Sequence, residues 1–247
     1  MASFYPLLFF FFFIAITAAT PSSSILTVVN NCPFPIWPAI QPNSGHILLE
    51  RGGFFLSPLS HRSFPSPTAH WSGRLWARTH CHTRNNHFSC ATGDCGTGKV
   101  ECHGRGGAPP ATLAQFSLHH GHNNDLSSYA VSLVDGYNVP MTVTPHEGHG
   151  ACPVVGCKPD LLPKCPEPLR LKASGGHVVG CKSACEAFNK DEFCCWNHYN
   201  SPHTCKPTSY SEYFKKECPS TFTYAHDSPS LMHDCSSPRE IKVIFCH

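Results

Sequence analysis

Sixteen cysteines, spread from Cys32 to Cys246, constrain this chain of 247 residues more than any other feature of its sequence. An even and dense set of cysteines in a secreted chain forms disulfides, because oxidising compartments leave few thiols free. The sequence therefore predicts eight disulfides. The spacing does not fix the pairing, since sixteen cysteines can pair in on the order of two million ways.

The first residues of the chain bear on whether it is secreted. Residues 2–20, "ASFYPLLFFFFFIAITAAT", carry no charge, and small residues at 17–19 follow an apolar run at 7–13. This pattern predicts a signal peptide at 1–24 with cleavage between residues 19 and 24. A membrane anchor is the alternative, but the apolar run is short and the polar stretch "PSSS" follows it at once. We therefore expect a secreted, extracellular protein with no stable membrane anchor.

Composition and local patterning favour a β protein. Lys and Arg number 18 against 16 Asp and Glu, so nothing suggests a nucleic-acid partner. Alternating apolar and polar residues predict strands at 25–31, at 129–145 around a turn at Asp135, and at 240–247. In the last predicted strand, one face carries the apolar residues Ile241, Val243 and Phe245. With 23 Pro and 18 Gly as turn residues, the predicted fold is mainly β, as a sandwich or barrel.

The cysteines are distributed unevenly along the chain. Nine of them lie between residues 152 and 218, where apolar periodicity is weak, so disulfides are expected to replace a hydrophobic core there. Within this segment, "KSACEAFNKDEF" (182–193) predicts the one short helix. Ser183 is its expected N-cap, and Glu186 follows three residues later, as in a capping box.

The two outermost cysteines flank the first and last predicted strands. Cys32 follows the strand at 25–31, and Cys246 ends the strand at 240–247. If these strands are neighbours, one bridge ties the two ends of the chain together. Closing so long a loop stabilises a protein by roughly 4–5 kcal/mol in the chain-entropy model.

Several motifs carry a resemblance to a known family. The stretch "CATGDCGTGKVEC" (90–102) resembles the signature of the thaumatin-like (osmotin) family of plant defence proteins. The stretches "VVNNCPFPIWP", "WSGRLWARTHC", "LVDGYNVPM", "CEAFNKDEFCC" and "YSEYFKKECP", and the order of the cysteines, are similar to the same family. The resemblance covers essentially the whole chain after the leader. The family signature begins a few residues before Cys90, with a Gly. Asn86 stands at that position in this sequence, and Asn also tolerates a positive φ.

The resemblance implies a disulfide pairing. In order along the chain, the implied pairs are Cys32–Cys246, Cys81–Cys90, Cys95–Cys102, Cys152–Cys235, Cys157–Cys218, Cys165–Cys181, Cys185–Cys194 and Cys195–Cys205. The cysteines of the signature stretch are then structural, and Asp94 between them is expected to cap a turn.

The resemblance also implies the architecture. Residues 25–247 are expected to form one domain, a flattened antiparallel β-sandwich with two disulfide-rich lobes. The sandwich is expected from about 24–78, 111–158 and 219–247. A small lobe is expected at about 79–110 and a larger lobe at about 159–218, with the ligand cleft of the family between the sandwich and the larger lobe.

The cleft of the family carries an Arg, a Glu and three Asp, and each position can be compared with this sequence. The Arg corresponds to Arg74 in "GRLWAR". The Glu is replaced by Gln115 in "TLAQF", and the first Asp by Ala130 in "YAVS". The other two acids correspond to Asp135 in "LVDG" and Asp227 in "YAHDS". Two of the four acids are therefore absent.

These replacements argue against efficient catalysis. Some members of the family are weak endo-β-1,3-glucanases, and glycoside hydrolysis requires two carboxyl groups at a defined separation. Gln115 keeps the shape of Glu but does not transfer a proton. The remaining catalytic candidates are Asp135 and Asp227. Glu147 is a further acid whose place the sequence does not give.

Sugar binding requires less than catalysis. A groove with planar hydrogen-bonding groups and aromatic rings is enough. The candidate polar residues are Arg74, Gln115, Asp135 and Asp227, and the candidate aromatic residues are Phe116, Tyr129 and Tyr137. For Phe116 and Tyr137, a place in the sandwich core is the alternative. Arg74 could serve only to neutralise one of the acids.

The 18 histidines raise the question of a metal site. The clusters "HCH" (80–82) and "HHGH" (119–122) look like ligand sets, and on a strand His80 and His82 would face the same side. However, every cysteine is expected to be paired, and a surface His pair is the commoner arrangement. No metal and no cofactor is therefore predicted, and the histidines instead make the charge sensitive to pH near 6.5.

Three functions compete on this sequence. The leading one is an antifungal, pathogenesis-related protein that binds β-1,3-glucan or a related fungal surface ligand without efficient catalysis. The second is a weak endo-β-1,3-glucanase that uses Asp135 and Asp227, and the third is a protein-binding inhibitor module. A monomer is expected. Because the sequence stops one residue after Cys246, without a sorting extension, the expected location is the apoplast or cell wall.

Overall fold

The computed structural model describes Met1, residues 24–119 and residues 125–247. The predicted signal peptide and its cleavage zone therefore lie almost entirely outside the described residues. Within residues 24–119 and 125–247, no helix is both long and apolar enough to cross a bilayer.

Short strands dominate the described chain. They are β1 (Ile25–Asn30), β2 (Trp37–Pro42), β3 (Ser60–Pro65), β4 (Trp71–Arg84), β5 (His87–Thr92), β6 (Leu113–Leu118), β7 (Leu126–Ser132), β8 (Met141–His146), β9 (Val155–Cys157), β10 (Arg170–Lys172), β11 (Val178–Cys181), β12 (Thr221–Phe222), β13 (His233–Ser236) and β14 (Glu240–Phe245). The helices are α1 (Ala184–Phe188), α2 (Asp191–Cys194) and α3 (Ser209–Glu217).

Two sheets form the sandwich. One has five strands in the order β3-β1-β14-β8-β9. The other has seven, in the order β12-β7-β6-β4-β2, with β13 beside β7 and β5 beside β4. The prediction of a mainly β sandwich is confirmed, but the sheets are mixed, because β1 runs parallel to β14 and β12 runs parallel to β7.

The sandwich core lies between these sheets. It is a single cluster of buried apolar side chains that includes Trp71, Leu75, Phe116 and Tyr129 from one sheet. The five-stranded sheet contributes Ile241, Val243 and Phe245, so the face predicted for the last strand is confirmed. The segment at 129–145 forms β7 and β8, which belong to different sheets. The turn between them therefore carries the chain across the sandwich.

The structure forms eight disulfides, and they are the same eight pairs that the resemblance implies. Asp94 caps a turn between two of them, as expected. Its Oδ1 accepts from the Gly96 N–H at 2.6 Å, and its Oδ2 accepts from the Cys90 N–H at 2.5 Å. Asn86 lies in the two-residue turn from β4 to β5 with φ of 60°, the conformation that such turns require.

The helices differ from the prediction. The predicted helix at 182–193 is broken into α1 and α2, because Asn189 adopts a φ of 49°. Its start is confirmed, since Ser183 Oγ accepts from the Glu186 N–H at 3.2 Å. The longest helix, α3, was not predicted. It begins with a reciprocal cap between Thr208 and Ser211, which lacks the Glu or Gln that usually marks such a cap.

Candidate functional site

A row of side chains crosses the outer face of the seven-stranded sheet. Arg74 on β4 lies opposite Gln115 on β6, and Gln115 lies opposite Ala130 on β7. Gln41 on β2 continues the row on the other side of Arg74. Directly opposed residues of an antiparallel pair have neighbouring side chains. The sheet therefore brings together the predicted residues Arg74 and Gln115 and the position where the acid is replaced by Ala130.

The predicted aromatic residues do not belong to this face. Phe116 and Tyr129 are one residue away from Gln115 and Ala130, so they point to the opposite side of the sheet and are buried in the sandwich core. Tyr137 is buried in the larger lobe. The Tyr129 and Tyr137 hydroxyls donate to backbone carbonyls, of Pro153 at 2.7 Å and of Pro159 at 3.1 Å. The prediction that these three rings line the cleft is wrong, because strand alternation turns Phe116 and Tyr129 into the sandwich core and Tyr137 packs in the core of the larger lobe.

Asp135 sits in the turn after β7, beside the face that carries Arg74. Its carbonyl accepts from the Ala111 N–H at 3.0 Å, and Gly136 follows it with a φ of 83°. Any side chain at Gly136 would meet the Cys181 carbonyl oxygen at 2.6 Å, so the turn packs directly on the larger lobe. Burial raises the pKa of Asp135 above its usual value, and the charge of Arg74 partly opposes that shift.

Asp227 is fixed in place by its neighbours. Its Oδ2 lies 2.8 Å from Lys215 Nζ and accepts from the Thr223 N–H at 2.9 Å, while its Oδ1 accepts from the Ser228 N–H at 2.8 Å. Burial alone would raise the pKa of Asp227, but these donors and the Lys215 charge lower it below its usual value. This carboxylate therefore holds the loop at 223–228 against α3.

A cavity of about 480 Å³ lies between the Asp135 turn and the larger lobe. Asp135 lines it, together with residues of α1, α2, the segment 205–208 and the loop 223–225. Three acids, Asp135, Glu186 and Glu192, face one base, Lys206, along its wall. The cavity is therefore acidic even though two acids of the family pattern are absent.

Aromatic side chains do line this cavity, but not those that were predicted. They are Phe193, Trp196, Phe214 and Tyr224. Trp196 could have been recognised from the sequence, because it directly follows the paired cysteines of "CCW" in a segment with little apolar periodicity. Tyr224 carried no comparable signal, since only the fold brings the loop at 223–228 to the cleft.

In each of the two histidine clusters, one described histidine lies beside a histidine from outside the cluster. In the described part of the chain, no three His, Cys, Asp or Glu side chains are grouped so as to hold an ion. His80 has a φ of 51°, which interrupts the alternation of β4, and its ring lies 5.8 Å from that of His177. The His119 ring stacks on His70 at 4.2 Å, while the rest of the 119–122 cluster lies outside the described residues.

Comparison with known proteins gives a consistent result. The model of the thaumatin family matches residues 30–247. The chain is 72% identical over 225 residues to an osmotin-like protein from Solanum lycopersicum, covering 90% of this chain and 88% of that protein. It is 40% identical to a protein from Prunus avium named glucan endo-1,3-beta-glucosidase, covering 91% of each chain. Among solved structures, a thaumatin-like xylanase inhibitor shares the fold, with a TM-score of 0.50, 22% identity, and 90% of this chain and 99% of that one covered.

Proposed function

This chain belongs to the thaumatin family, and on that premise we propose that it is a secreted plant defence protein that binds β-1,3-glucan or a related cell-wall ligand. The binding site is the cleft between the Asp135 turn and the larger lobe, and catalysis there is inefficient. Eight disulfides support a place outside the cell, because such bridges persist in oxidising compartments.

The cavity beside Asp135 is the observation that carries this proposal. Its volume of about 480 Å³ suits a few sugar units. Its wall combines carboxylates, the hydroxyls of Ser183 and Thr208, and the rings of Trp196 and Tyr224. Hydroxyl-rich ligands with apolar faces are bound by this combination of planar acceptors and aromatic surface.

The state of the acids supports binding over hydrolysis. Gln115 and Ala130 occupy two positions where the family pattern has carboxyl groups. Asp227 is engaged by Lys215 and two backbone N–H groups, so it is poorly placed to act as a free base. Efficient hydrolysis needs two carboxyl groups, held at a defined separation around one glycosidic bond and free to transfer a proton or to attack.

A weak glucanase is the second candidate, and one observation favours it. The pKa of Asp135 is raised while that of Asp227 is lowered. Two carboxyl groups whose environments separate their pKa values are a common acid and nucleophile arrangement. In this function, Asp135 would protonate the leaving oxygen and Asp227 would remain ionised.

One assay separates these functions. The oxidised protein, without residues 1–24, is mixed with insoluble β-1,3-glucan at mildly acidic pH, with cellulose as the control polymer. Pelleted protein and released reducing ends are measured in the same tube. We expect pelleting with the β-1,3-glucan and no release of sugar.

The other outcomes are equally informative. Release of sugar that disappears in the Asp135→Asn, Asp227→Asn double variant, with pelleting kept, would establish the glucanase. Release that persists in that variant would exclude this pair of acids. If the protein neither pellets nor releases sugar, the glucan proposal fails and a protein target, as for an inhibitor module, takes its place.

A further inference from the structure

Trp196 is unusual among the four tryptophans of the chain. Trp71 and Trp76 are buried, and Trp37 packs between the rings of Phe55 and Phe88. Trp196 is 51% exposed, yet it also lines the cleft cavity. An exposed indole beside a cavity leaves apolar surface free for a ligand.

The backbone of Trp196 is held more firmly than that of an ordinary surface residue. It directly follows Cys194 and Cys195, which are bridged to Cys185 and Cys205. The Trp196 N–H donates to the Asp191 carbonyl at 3.1 Å, and the Trp196 carbonyl accepts from the Tyr199 N–H at 2.8 Å. A ring on a fixed backbone loses little conformational freedom when a ligand binds, so less of the binding energy is lost to ordering.

The helix before Trp196, α2, is held by aromatic contacts with α1 and α3. The ring of Phe193 on α2 lies 5.2 Å from the ring of Phe188 on α1. The ring of Tyr210 on α3 lies 6.1 Å from that of Phe193 and 5.2 Å from that of Phe188. This aromatic cluster fixes the three helices of the larger lobe to one another. Trp196 projects beyond the cluster, because its exposed fraction is far larger than that of Phe193, which is half-buried.

Polar groups line the same wall as Trp196. Glu192 and Lys206 border the cavity, and Lys206 directly follows the disulfide partner of Cys195. A carboxylate accepts hydrogen bonds from sugar hydroxyls, and an ammonium donates to hydroxyl and ring oxygens. The Lys206 ammonium also donates to the Pro202 carbonyl at 3.0 Å, which fixes its position and leaves further N–H groups for a ligand. The cavity that Trp196 lines therefore also offers an acceptor and a donor.

We propose that Trp196 forms the stacking wall of a sugar subsite at the mouth of the cleft, and that this subsite takes one β-linked hexopyranose unit. Equatorial substituents leave the axial C–H groups of such a ring on its two faces, so each face is flat and apolar enough to pack on an indole. Glu192 and Lys206 bind the equatorial hydroxyls at the rim. This inference rests on the proposed function, since it assigns a contact within the same cleft.

Tryptophan fluorescence tests the subsite directly. The oxidised protein is titrated with laminarihexaose, a soluble hexasaccharide of β-1,3-linked glucose. The indole of Trp196 is the most exposed of the four. We therefore expect the ligand to shift its emission to shorter wavelength and to reduce the quenching of its fluorescence by acrylamide. The shift should be absent in Trp196→Phe and present in Trp37→Phe.

Affinity measured by calorimetry supplies the second readout. Trp196→Ala should weaken binding about tenfold, equivalent to about 1.4 kcal/mol, and Trp196→Phe about threefold, because a smaller ring still stacks. Phe55→Ala is the matched control, since Phe55 is 52% exposed and is not among the residues that line the cleft. Its affinity should stay within about twofold of that of the parent protein.

Two outcomes would overturn the subsite. In the first, the parent protein binds laminarihexaose without a change in its emission, and Trp196→Ala and Trp196→Phe bind it as tightly as the parent does. Trp196 then makes no contact with the ligand, while glucan binding itself stands. If the parent protein binds neither the hexasaccharide nor insoluble glucan, the subsite and the proposed function fail together. The Phe variant keeps the test valid if the Ala variant folds poorly.

Discussion

Asp135 and Asp227 carry the same carboxyl group in opposite environments. Burial raises the pKa of Asp135, so its ionised form is less stable in the folded protein than in the unfolded chain. Its contribution to stability is complete below the unfolded pKa and is lost as pH rises through the folded pKa. The pKa of Asp227 is lowered, so its contribution is present above the unfolded pKa and is lost as pH falls through the folded value.

Asp135→Asn is therefore expected to stabilise the protein at neutral pH. The substitution keeps the shape of the side chain and removes a half-buried charge that Arg74 only partly offsets. Thermal unfolding with the disulfides intact should show a higher Tm at pH 7 and little change near pH 3. A lower Tm at pH 7 would mean that the Asp135 charge is better compensated than its burial indicates.

Asp227→Asn should have the opposite effect. It removes an ion pair with Lys215 and weakens two backbone hydrogen bonds to a side chain that is 9% exposed, which should cost about 2 kcal/mol at pH 7. The difference in stability between parent and variant should shrink as pH falls through the lowered folded pKa of Asp227.

The matched control for Asp227→Asn is Glu147→Gln. The ion pair between Glu147 and Arg239 is 67% exposed on both sides, and such surface pairs contribute little. At pH 7, the Tm of Glu147→Gln should differ from that of the parent protein by less than half as much as the Tm of Asp227→Asn does. Equal losses in the two variants would contradict the structural role of Asp227.

The residues of the cleft show which parts of the site the sequence could predict. The motifs predict Arg74 and Gln115 as site residues, and strand register sets them side by side, but neither lines the cavity beside Asp135. Phe116 and Tyr129 were misplaced, because the aromatic type alone does not tell which face of a strand a ring occupies. Trp196 was missed, although its place after two adjacent cysteines was visible in the sequence, because its exposure depends on disulfides and helices rather than on local periodicity.

At the scale of elements, α3 connects the larger lobe to the cleft. This helix supplies Phe214 to the lobe core and Lys215 to Asp227. It begins at a cap in which Thr208 Oγ1 accepts from the Ser211 N–H, and Ser211 Oγ accepts from the Thr208 N–H at 2.8 Å. The start of a nine-residue helix therefore controls where a cleft loop is anchored.

Thr208→Ala tests this connection. Loss of the cap should destabilise the protein by about 1 kcal/mol, as is typical when an N-cap side chain is removed. Ser209→Ala, at the first residue of the same helix, is the control and should change the free energy of unfolding by a few tenths of a kcal/mol at most. Chemical denaturation of the oxidised proteins measures both. Equal effects would show that the cap does not hold α3.

Elements with strong local patterns were predicted and the others were not. The alternation of β14 gives its buried face directly. The parallel pairing of β1 with β14 could not be predicted from either strand alone, because it joins residues more than 200 positions apart, as Ile25 and Glu240 show. The break between α1 and α2 depends on one residue, Asn189, whose left-handed conformation the sequence permits but does not demand.

At the scale of the whole molecule, two cores differ in kind. Among the residues that the structure describes, the sandwich core joins 25 buried ones, of which Cys32 and Cys235 are cysteines. The core of the larger lobe joins nine buried residues, and four of them are cysteines. The larger lobe therefore has fewer apolar contacts beside its bridges than the sandwich has, so we expect it to depend more on those bridges.

Mild reduction should thus open the larger lobe first. Hydrogen exchange in a low concentration of reductant should accelerate in residues 159–218 before it does in β1, β14 and β8. The unreduced protein at the same pH and temperature is the control. Earlier exchange in the sandwich strands would show that its core is weaker than its apolar contacts indicate.

The pairing of β1 with β14 has a mechanical consequence. Both strands run in the same direction, and the Cys32–Cys246 bridge closes them at their far end. The covalent path between Ser24 and His247 runs along β1 and through this bridge, so residues 33–245 lie outside that path. The greatest extension is that of about eight residues, or roughly 30 Å. The cleft contains no residue of β1, so pulling on the two ends of the chain loads the cleft only through the hydrogen bonds and packing of β1.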